Sequence, residues 1–342
     1  MTAPIALTMG EPAGIGGEIA LKAWLGRAAG VPPFFAIDSP ARLDALAAAL
    51  HLAVPLREID DPGEAASLFA TALPVLPLTL AGEAEPGRLD SANAGAVIES
   101  ISRAVQLTQS GAAGAVVTNP IHKSALYAAG FAHPGHTEFL AELAGPGYRA
   151  VMMLASAELR VVPVTIHISL AEAARNLSGD AILRCARVTA RALARDFGVA
   201  RPRLAVAGLN PHAGEEGGMG AEEIDIIGLA LEQLRGEGID AVGPLSADTM
   251  FHAAARKTYD AALCMYHDQA LIPIKTLDFE GGVNTTLGLP FVRTSPDHGT
   301  ALDIAGQGVA SATSLIAALR LAAEMAARRA AWDKAANRGK RK

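Results

Sequence analysis

Short apolar runs alternate with amphipathic stretches along most of the chain, and the alternation predicts its elements. Residues 5–8 form an apolar run that enters a glycine-rich turn, and 19–25 continues at helical spacing, so strand, turn and helix are expected in that order. The runs at 34–37, 115–118, 160–168, 203–207 and 261–265 read as further buried strands, with 73–80 extended and punctuated by prolines. Helical spacing marks 40–50, 91–109 and 179–197; a turn cluster occupies 60–64 and glycines at 111–114 close the helix at 91–109. Strands alternating with amphipathic helices predict a largely parallel α/β sheet.

Composition narrows this picture. The chain has 342 residues, 51% hydrophobic and 19% charged, which excludes a disordered polymer and suits two domains with covered sheet faces. A formal net charge of −6 argues against nucleic acid as the main partner. The basic run Arg328, Arg329, Lys334, Arg338, Lys340, Arg341 and Lys342 is expected to be a frayed, solvated tail. Cys185 and Cys264 stand far apart in apolar surroundings and are expected to pack rather than pair. The first residues lack a charged segment followed by a long apolar one, and no run is long enough to cross a bilayer, so a cytoplasmic protein without membrane contacts is expected.

Candidate chemistry concentrates in 263–308, which gathers His267, Asp268, Lys275, Asn284, Arg293, Asp297 and His298 just after a predicted strand. In open α/β sheets the carboxyl ends of strands hold ligands, because loops converge there on a rigid base. The N-terminal glycines Gly10, Gly14, Gly16 and Gly17 do not have dinucleotide-fingerprint spacing, and Glu11 and Glu18 would oppose a pyrophosphate; a tight structural turn is expected. After the strand at 115–118, Pro134 and Gly135 break the chain before His136 and Thr137, with Thr137 the expected N-cap of a helix reaching Ala144. That junction reads either as an anion site or as a capped helix beside a loop histidine.

His167, His212 and His267 each follow a predicted strand, and a capping-box pattern, Ser169 to Glu172, comes directly after the first. If those strands share a sheet, the three imidazoles can converge on one ion. Nitrogen donors without a carboxylate cage favour Zn²⁺, Co²⁺ or Ni²⁺, with Mg²⁺ or Mn²⁺ open if water and substrate oxygens contribute. An open coordination position would make the ion a Lewis acid. Lys275, Asn284 and Arg293 suit a phosphate or carboxylate substrate, although each could equally be a surface partner. The loop from Thr294 to Thr300 opens a helix-like segment at 301–305 and is a better nucleotide-phosphate candidate than the N-terminal turn.

Taken together, GEPAGIGGE, NPIHK, GHTEF, VTIHISL, LNPHAGE and the long run YHDQ…PIK…GGVNTTLGLPFVRTSPDHGTALDIAG span Thr8 to Gly308. They resemble the 4-hydroxythreonine-4-phosphate dehydrogenase family of pyridoxal 5'-phosphate biosynthesis; Met9 and Gly17 stand where that family usually has proline. The resemblance implies an isocitrate/isopropylmalate-dehydrogenase-like α/β fold, two α/β/α domains with a cleft between them. Residues 1–128 with 285–342 would form a discontinuous NAD-binding-side domain, and 129–284 the metal, substrate and dimerisation domain. It implies a homodimer with a shared active site. His167, His212 and His267 would bind one divalent metal (Zn, Co or Mg), and His136, Thr137, Lys275, Asn284 and Arg293 the phosphorylated substrate. NAD contacts would fall on Thr294, Ser295, Asp297, Gly299 and Asp303.

The implied reaction is NAD-dependent oxidation of the secondary alcohol of 4-phosphooxy-L-threonine, then loss of CO₂ to give 3-amino-2-oxopropyl phosphate. Lys275 as a neutral amine, or Asp248 or Asp268 through water, are the candidates for taking the hydroxyl proton. Relatives that oxidise phosphorylated threonate or erythronate, or a cis-dihydrodiol acid, offer an alternative. A non-catalytic metal- and anion-binding protein on the same scaffold is another.

Overall fold

The computed structural model describes residues 3–133 and 135–339; Pro134, Lys340, Arg341 and Lys342 lie outside the described residues. Its strands are β1 (Ile5–Thr8), β2 (Phe34–Asp38), β3 (Leu56–Glu58), β4 (Leu73–Pro77), β5 (Ala115–Val117), β6 (Val151–Ala155), β7 (Arg160–Pro163), β8 (Arg203–Ala207), β9 (Asp240–Leu245), β10 (Ala261–Cys264), β11 (Val283–Leu287) and β12 (Arg293–Pro296). Contacts divide the chain into two compact units, Met1–Ala150 with Leu289–Ala327, and Val151–Gly288 with Arg328–Lys342.

Among the described residues, the first unit orders its strands β3-β4-β2-β1-β5-β12, and the described pairings are all parallel. Parallel strands covered on both faces read as unbroken apolar runs, which is why β1, β2 and β5 stand out in the sequence as the runs at 5–8, 34–37 and 115–118, within one residue of their observed bounds. The helix Ala94–Gln109 lays Val97, Ile101, Ala104 and Val105 against Ala6, Phe35 and Val116 of the sheet. The glycine-rich turn is tight, as expected. Gly10 has φ +71° and a Cβ there would lie 2.7 Å from the Pro120 carbonyl oxygen, so only glycine fits. Asn119 Nδ2 ties the turn down by donating to the carbonyls of Thr8 (3.1 Å) and Gly16 (3.3 Å).

Among the described residues, the second unit orders its strands β11-β6-β7-β10-β8-β9. β10 runs parallel to β7 and β8, whereas β6 is antiparallel to both β7 and β11. Leu154, Val161, Ala205, Ala262, Cys264 and Ile274 form its core. Both cysteines are buried and free, and burial pushes the Cys185 thiol up to about 11, in keeping with packing residues.

The C-terminal basic run is not the expected tail. Residues Thr313–Gly339 form one helix, and Arg329 grips the carboxylate of Asp196 through Nε and a terminal nitrogen at 2.8 and 2.7 Å. Arg195 binds the same carboxylate and Arg328 donates to the carbonyl of Phe197. Lys334 and Arg338 are solvated, as expected. Asp196 is only 1% exposed. Burial alone would raise its pKa, but the hydrogen bonds from Arg329 and Arg195 outweigh that and hold it below the usual carboxylate range.

Arg329→Ala is therefore expected to cost roughly 3 kcal/mol at neutral pH, because a buried carboxylate loses one of its two cations. Since the folded pKa is depressed, this stabilisation is present above the unfolded carboxylate pKa of about 3.9 and lost as pH falls through the folded value. Urea unfolding of wild type and variant should thus converge in acid.

Candidate active site

Among the described residues, the candidate side chains fall into one cluster in each unit. In the first unit Arg293 opens β12 beside β5, in register with Val116, and is 4% exposed. A terminal nitrogen donates to Thr118 Oγ1 at 2.6 Å, and burial pushes the guanidinium pKa down to about 10, so it stays charged at neutral pH. His136 is the first residue of the helix His136–Ala144. Its Nε2 is buried with no hydrogen-bond partner among the described residues. Burial first, then the positive charges of Arg293 and Lys123, hold the imidazole well below the ordinary histidine range and hence neutral.

A ring nitrogen without a partner, two nearby cations and a helix N-terminus form an arrangement to which an oxyanion can bind. Thr137 does not cap this helix. The N-cap is Gly135, with extended backbone at φ 179°, so Thr137 already lies inside the first turn. Lys123 was given no role from sequence, although it sits in the NPIHK motif. Its Nζ lies so near Gly135 that a Cβ added there would be 3.6 Å away.

The neutrality of His136 has a measurable consequence. Between its depressed pKa and the unfolded value of about 6.5, the unfolded chain holds a proton that the folded chain refuses. Stability therefore falls as pH drops below about 6.5, and His136→Asn is expected to flatten that part of the slope in urea midpoints taken at about pH 7.5 and 5.5.

In the second unit the strand expected to reach His167 stops at Pro163, beyond which Val164 N and Thr165 N still donate to the carbonyls of Cys264 and Met265. His167 follows in a bend at φ +46°. His267 is the first residue of the helix His267–Leu277, so His267, Asp268 and Lys275 lie on a helix rather than in the loop the sequence suggested. The rings of His167 and His267 are 5.9 Å apart between centroids. Thr165 Oγ1 donates to the Met265 carbonyl at 2.7 Å and fastens the two segments together. His267 Nδ1 is hydrogen-bonded to Asp268 Oδ1 at 2.7 Å, which orients the ring and leaves Nε2 available. A cavity of about 230 Å³ opens between His167, Thr165, Tyr266, His267 and Asp268.

His212 is not grouped with that pair. It lies exposed on Pro211–Gly217, where His212, Ala213, Glu215 and Glu216 all have positive φ, a backbone costing about 1–2 kcal/mol per residue. Glu223 anchors the loop's entry by accepting from Asn210 N at 2.8 Å. Among the described residues no group of three or more His, Cys, Asp or Glu stands close enough to hold a metal ion. The donor chemistry of the pair suits a borderline divalent cation, and the pair supplies two of the three expected ligands.

Lys275 is half-buried near the end of its helix, its Nζ 5.5 Å from the centroid of the Phe279 ring, and Asn284 lies half-buried on β11. Asp248 is exposed and accepts from Ser246 Oγ at 2.6 Å. Of the expected NAD contacts, Thr294 is buried with its hydroxyl donating to the Ala318 carbonyl at 2.8 Å, so that group is already engaged. Ser295 is buried beside it, while Asp297, Gly299 and Asp303 lie in the loop that follows. The segment at 301–305 is a series of turns and not the expected helix; Ala301 has φ +44°, and Gly306 and Gly308 are also left-handed. No helix among the described residues is long and apolar enough to cross a membrane.

Residues 32–322 match the family model described as pyridoxal phosphate biosynthetic protein PdxA. The chain is 58% identical over 332 residues, covering 95% of each chain, to a 4-hydroxythreonine-4-phosphate dehydrogenase of Methylorubrum populi. It is 55% identical over 336 residues to the protein of the same name from Bradyrhizobium diazoefficiens, covering 95% of this chain and 97% of that one. The crystal structure of 4-hydroxythreonine-4-phosphate dehydrogenase from Klebsiella pneumoniae is similar with a TM-score of 0.86 and 39% identity, over 95% of this chain and 99% of that one. With a family model spanning most of its length and end-to-end relatives at this identity, the chain belongs to the PdxA family of pyridoxal phosphate biosynthetic proteins.

Proposed function

We propose that this chain oxidises 4-phosphooxy-L-threonine at its secondary alcohol with NAD and decarboxylates the product to 3-amino-2-oxopropyl phosphate. The end-to-end likeness to enzymes named for that substrate carries the reading. The two side-chain clusters support it. When bound, NAD supplies a hydride acceptor and a divalent cation (Zn, Co or Mg) supplies Lewis acidity at the alcohol oxygen.

In the first unit, His136, Thr137 and Arg293 bind the substrate phosphate, with Lys123 adding charge; the unsatisfied His136 Nε2 supports an oxygen ligand there. In the second, His167 and His267 would hold the cation with His212 as third donor. The strained backbone around His212 supports a second conformation for its loop. Asn284 and Lys275 contact the substrate. The hydrogen bond of Asp268 to His267 favours a role in orienting that ring, which leaves Lys275 to move the hydroxyl proton and Asp248 the less supported candidate. Asp297, Gly299 and Asp303, with backbone near Thr294 and Ser295, serve NAD.

The reading extends to an isocitrate/isopropylmalate-dehydrogenase-like fold, with 1–128 and 285–342 on the NAD side and 129–284 for metal, substrate and dimerisation. Parallel strands with crossing helices in the first unit favour it. A cytoplasmic homodimer is part of it, and the exposed apolar residues Leu170, Ile272 and Phe279 in the second unit suit an interface.

The test is NADH formation by purified protein from 4-phosphooxy-L-threonine, stripped of metal and then reloaded. Metal-dependent NADH with this substrate and little with phosphothreonate is the expected result. Turnover confined to phosphorylated threonate or erythronate, or to a cis-dihydrodiol acid, would reassign the substrate. Metal and phosphate binding without NADH would leave a binding protein.

A further inference from the structure

The loop that carries His212 has an unfavourable backbone, and the second unit contains the groups that hold it there. Every residue from His212 to Glu216 has positive φ, and four of the five are not glycine. L-residues enter that region singly and seldom in series, so such a run persists only where its surroundings over-determine it.

Glu223 provides the first fastening. It is 4% exposed and opens a π-helical turn, Glu223–Gly228, a form of helix that concentrates at functional sites. Its Oε1 accepts from Asn210 N at 2.8 Å and its Oε2 from Asn210 Nδ2 at 3.0 Å. The carboxylate fits because glycines flank it: an added Cβ would lie 3.0 Å from Oε1 at Gly208 and 2.5 Å from Oε2 at Gly214. Glu223 therefore meets the loop two residues before His212, at Asn210, and two residues after it, at Gly214.

Gln269 provides the second. It is 8% exposed on the helix His267–Leu277; its Nε2 donates to the Gly208 carbonyl at 2.7 Å and its Oε1 accepts from Met265 N at 2.6 Å. One side chain thus ties the start of the His212 loop to the segment that enters His267. Burying a carboxylate and an amide costs desolvation that apolar side chains of the same size would avoid. What the polar pair adds is a fixed register between two histidine-bearing segments.

We propose that Glu223 and Gln269 are positioning residues, which hold the His212 loop so that its imidazole joins His267 on a divalent cation. The proposal rests on the metal reading above. It is tested by Co²⁺ titration of the metal-stripped full chain, followed by visible absorption, which reports the ligand set of the ion. Glu223→Met and Gln269→Met remove the hydrogen bonds at nearly constant volume, and Glu223→Gln keeps one acceptor. Each is made alone and together with His212→Ala, and circular dichroism melts check that all of them fold.

Each methionine variant is expected to weaken Co²⁺ binding by about ten-fold or more and to shift the spectrum towards that of His212→Ala, with a smaller loss in Glu223→Gln. In the His212→Ala background the same substitutions should change affinity by less than about two-fold, because no imidazole is left to position. Wild-type affinity and spectrum in either folded methionine variant would overturn the proposal and leave the metal reading intact. Equal losses with and without His212, the mark of a merely structural role, would do the same. Should the methionine variants unfold, a wild-type spectrum and affinity in Glu223→Gln would overturn it. Wild type that binds no Co²⁺, or His212→Ala that binds it as wild type does, would overturn both.

Discussion

Arg293→Ala is expected to lower kcat/KM for the phosphorylated substrate by roughly 1000-fold, about 4 kcal/mol, the size expected when a buried charge contact is truncated. Arg293 is fixed by the sheet and by Thr118 Oγ1 at 2.6 Å, so its fork is held in place before any ligand arrives. Its charge sits beside the unsatisfied Nε2 of a neutral His136. Phosphate binding there uses a cation already desolvated by the fold, where the interaction is stronger than at an exposed surface. Arg293→Lys keeps the charge but loses the planar fork and should fall between wild type and alanine.

The diagnostic comparison is with 4-hydroxy-L-threonine, which lacks the phosphate. On that substrate wild type and Arg293→Ala should differ little, and the KM for NAD should not move. An equal loss on both substrates would mean that Arg293 supports the fold of β12 and not the phosphate.

His212→Ala is expected to reduce metal affinity and turnover by roughly 100-fold or more, with the folded state intact. The pair His167 and His267 offers two imidazoles and one orienting carboxylate, whereas a lasting catalytic site with these donors needs three protein ligands. His212 is exposed, so its truncation removes no core packing. Metal titration into the stripped protein separates the possibilities. Wild-type affinity in His212→Ala would mean that the ion rests on the other two histidines alone. His267→Ala serves as the comparison that should abolish binding in either case.

Much of the scaffold could be read directly from residue order. β1, β2, β5, β8 and β10 are buried parallel strands whose apolar runs stand out against their flanks. The glycine-rich turn was separable from a dinucleotide fingerprint by its spacing and by two glutamates, and Glu18 proves to be buried in hydrogen bonds to the backbone. Residues His136 and Arg293, far apart in sequence, were each suspect by type, and β5 next to β12 brings their segments together.

Other features depend on tertiary partners that residue order does not display. β11 carries Asn284, Thr285 and Thr286, polar residues that pair with antiparallel β6, so β11 lacked the signature of a parallel core strand. The basic end of the chain looked solvated because Asp196, its anchor, is far away in sequence. At 301–305 the pattern suggested a helix, but left-handed backbone at Ala301 and Gly306 leaves only turns there. For the histidines, sequence located the ends of strands and could not specify the loop conformation that carries His212.

The most direct measurement counts CO₂ released against NADH formed from 4-phosphooxy-L-threonine, in metal-loaded and metal-stripped protein. One CO₂ per NADH in the loaded protein, and neither product in the stripped protein, is the expected result for oxidation coupled to decarboxylation. NADH without CO₂, or equal turnover after metal removal, would contradict it.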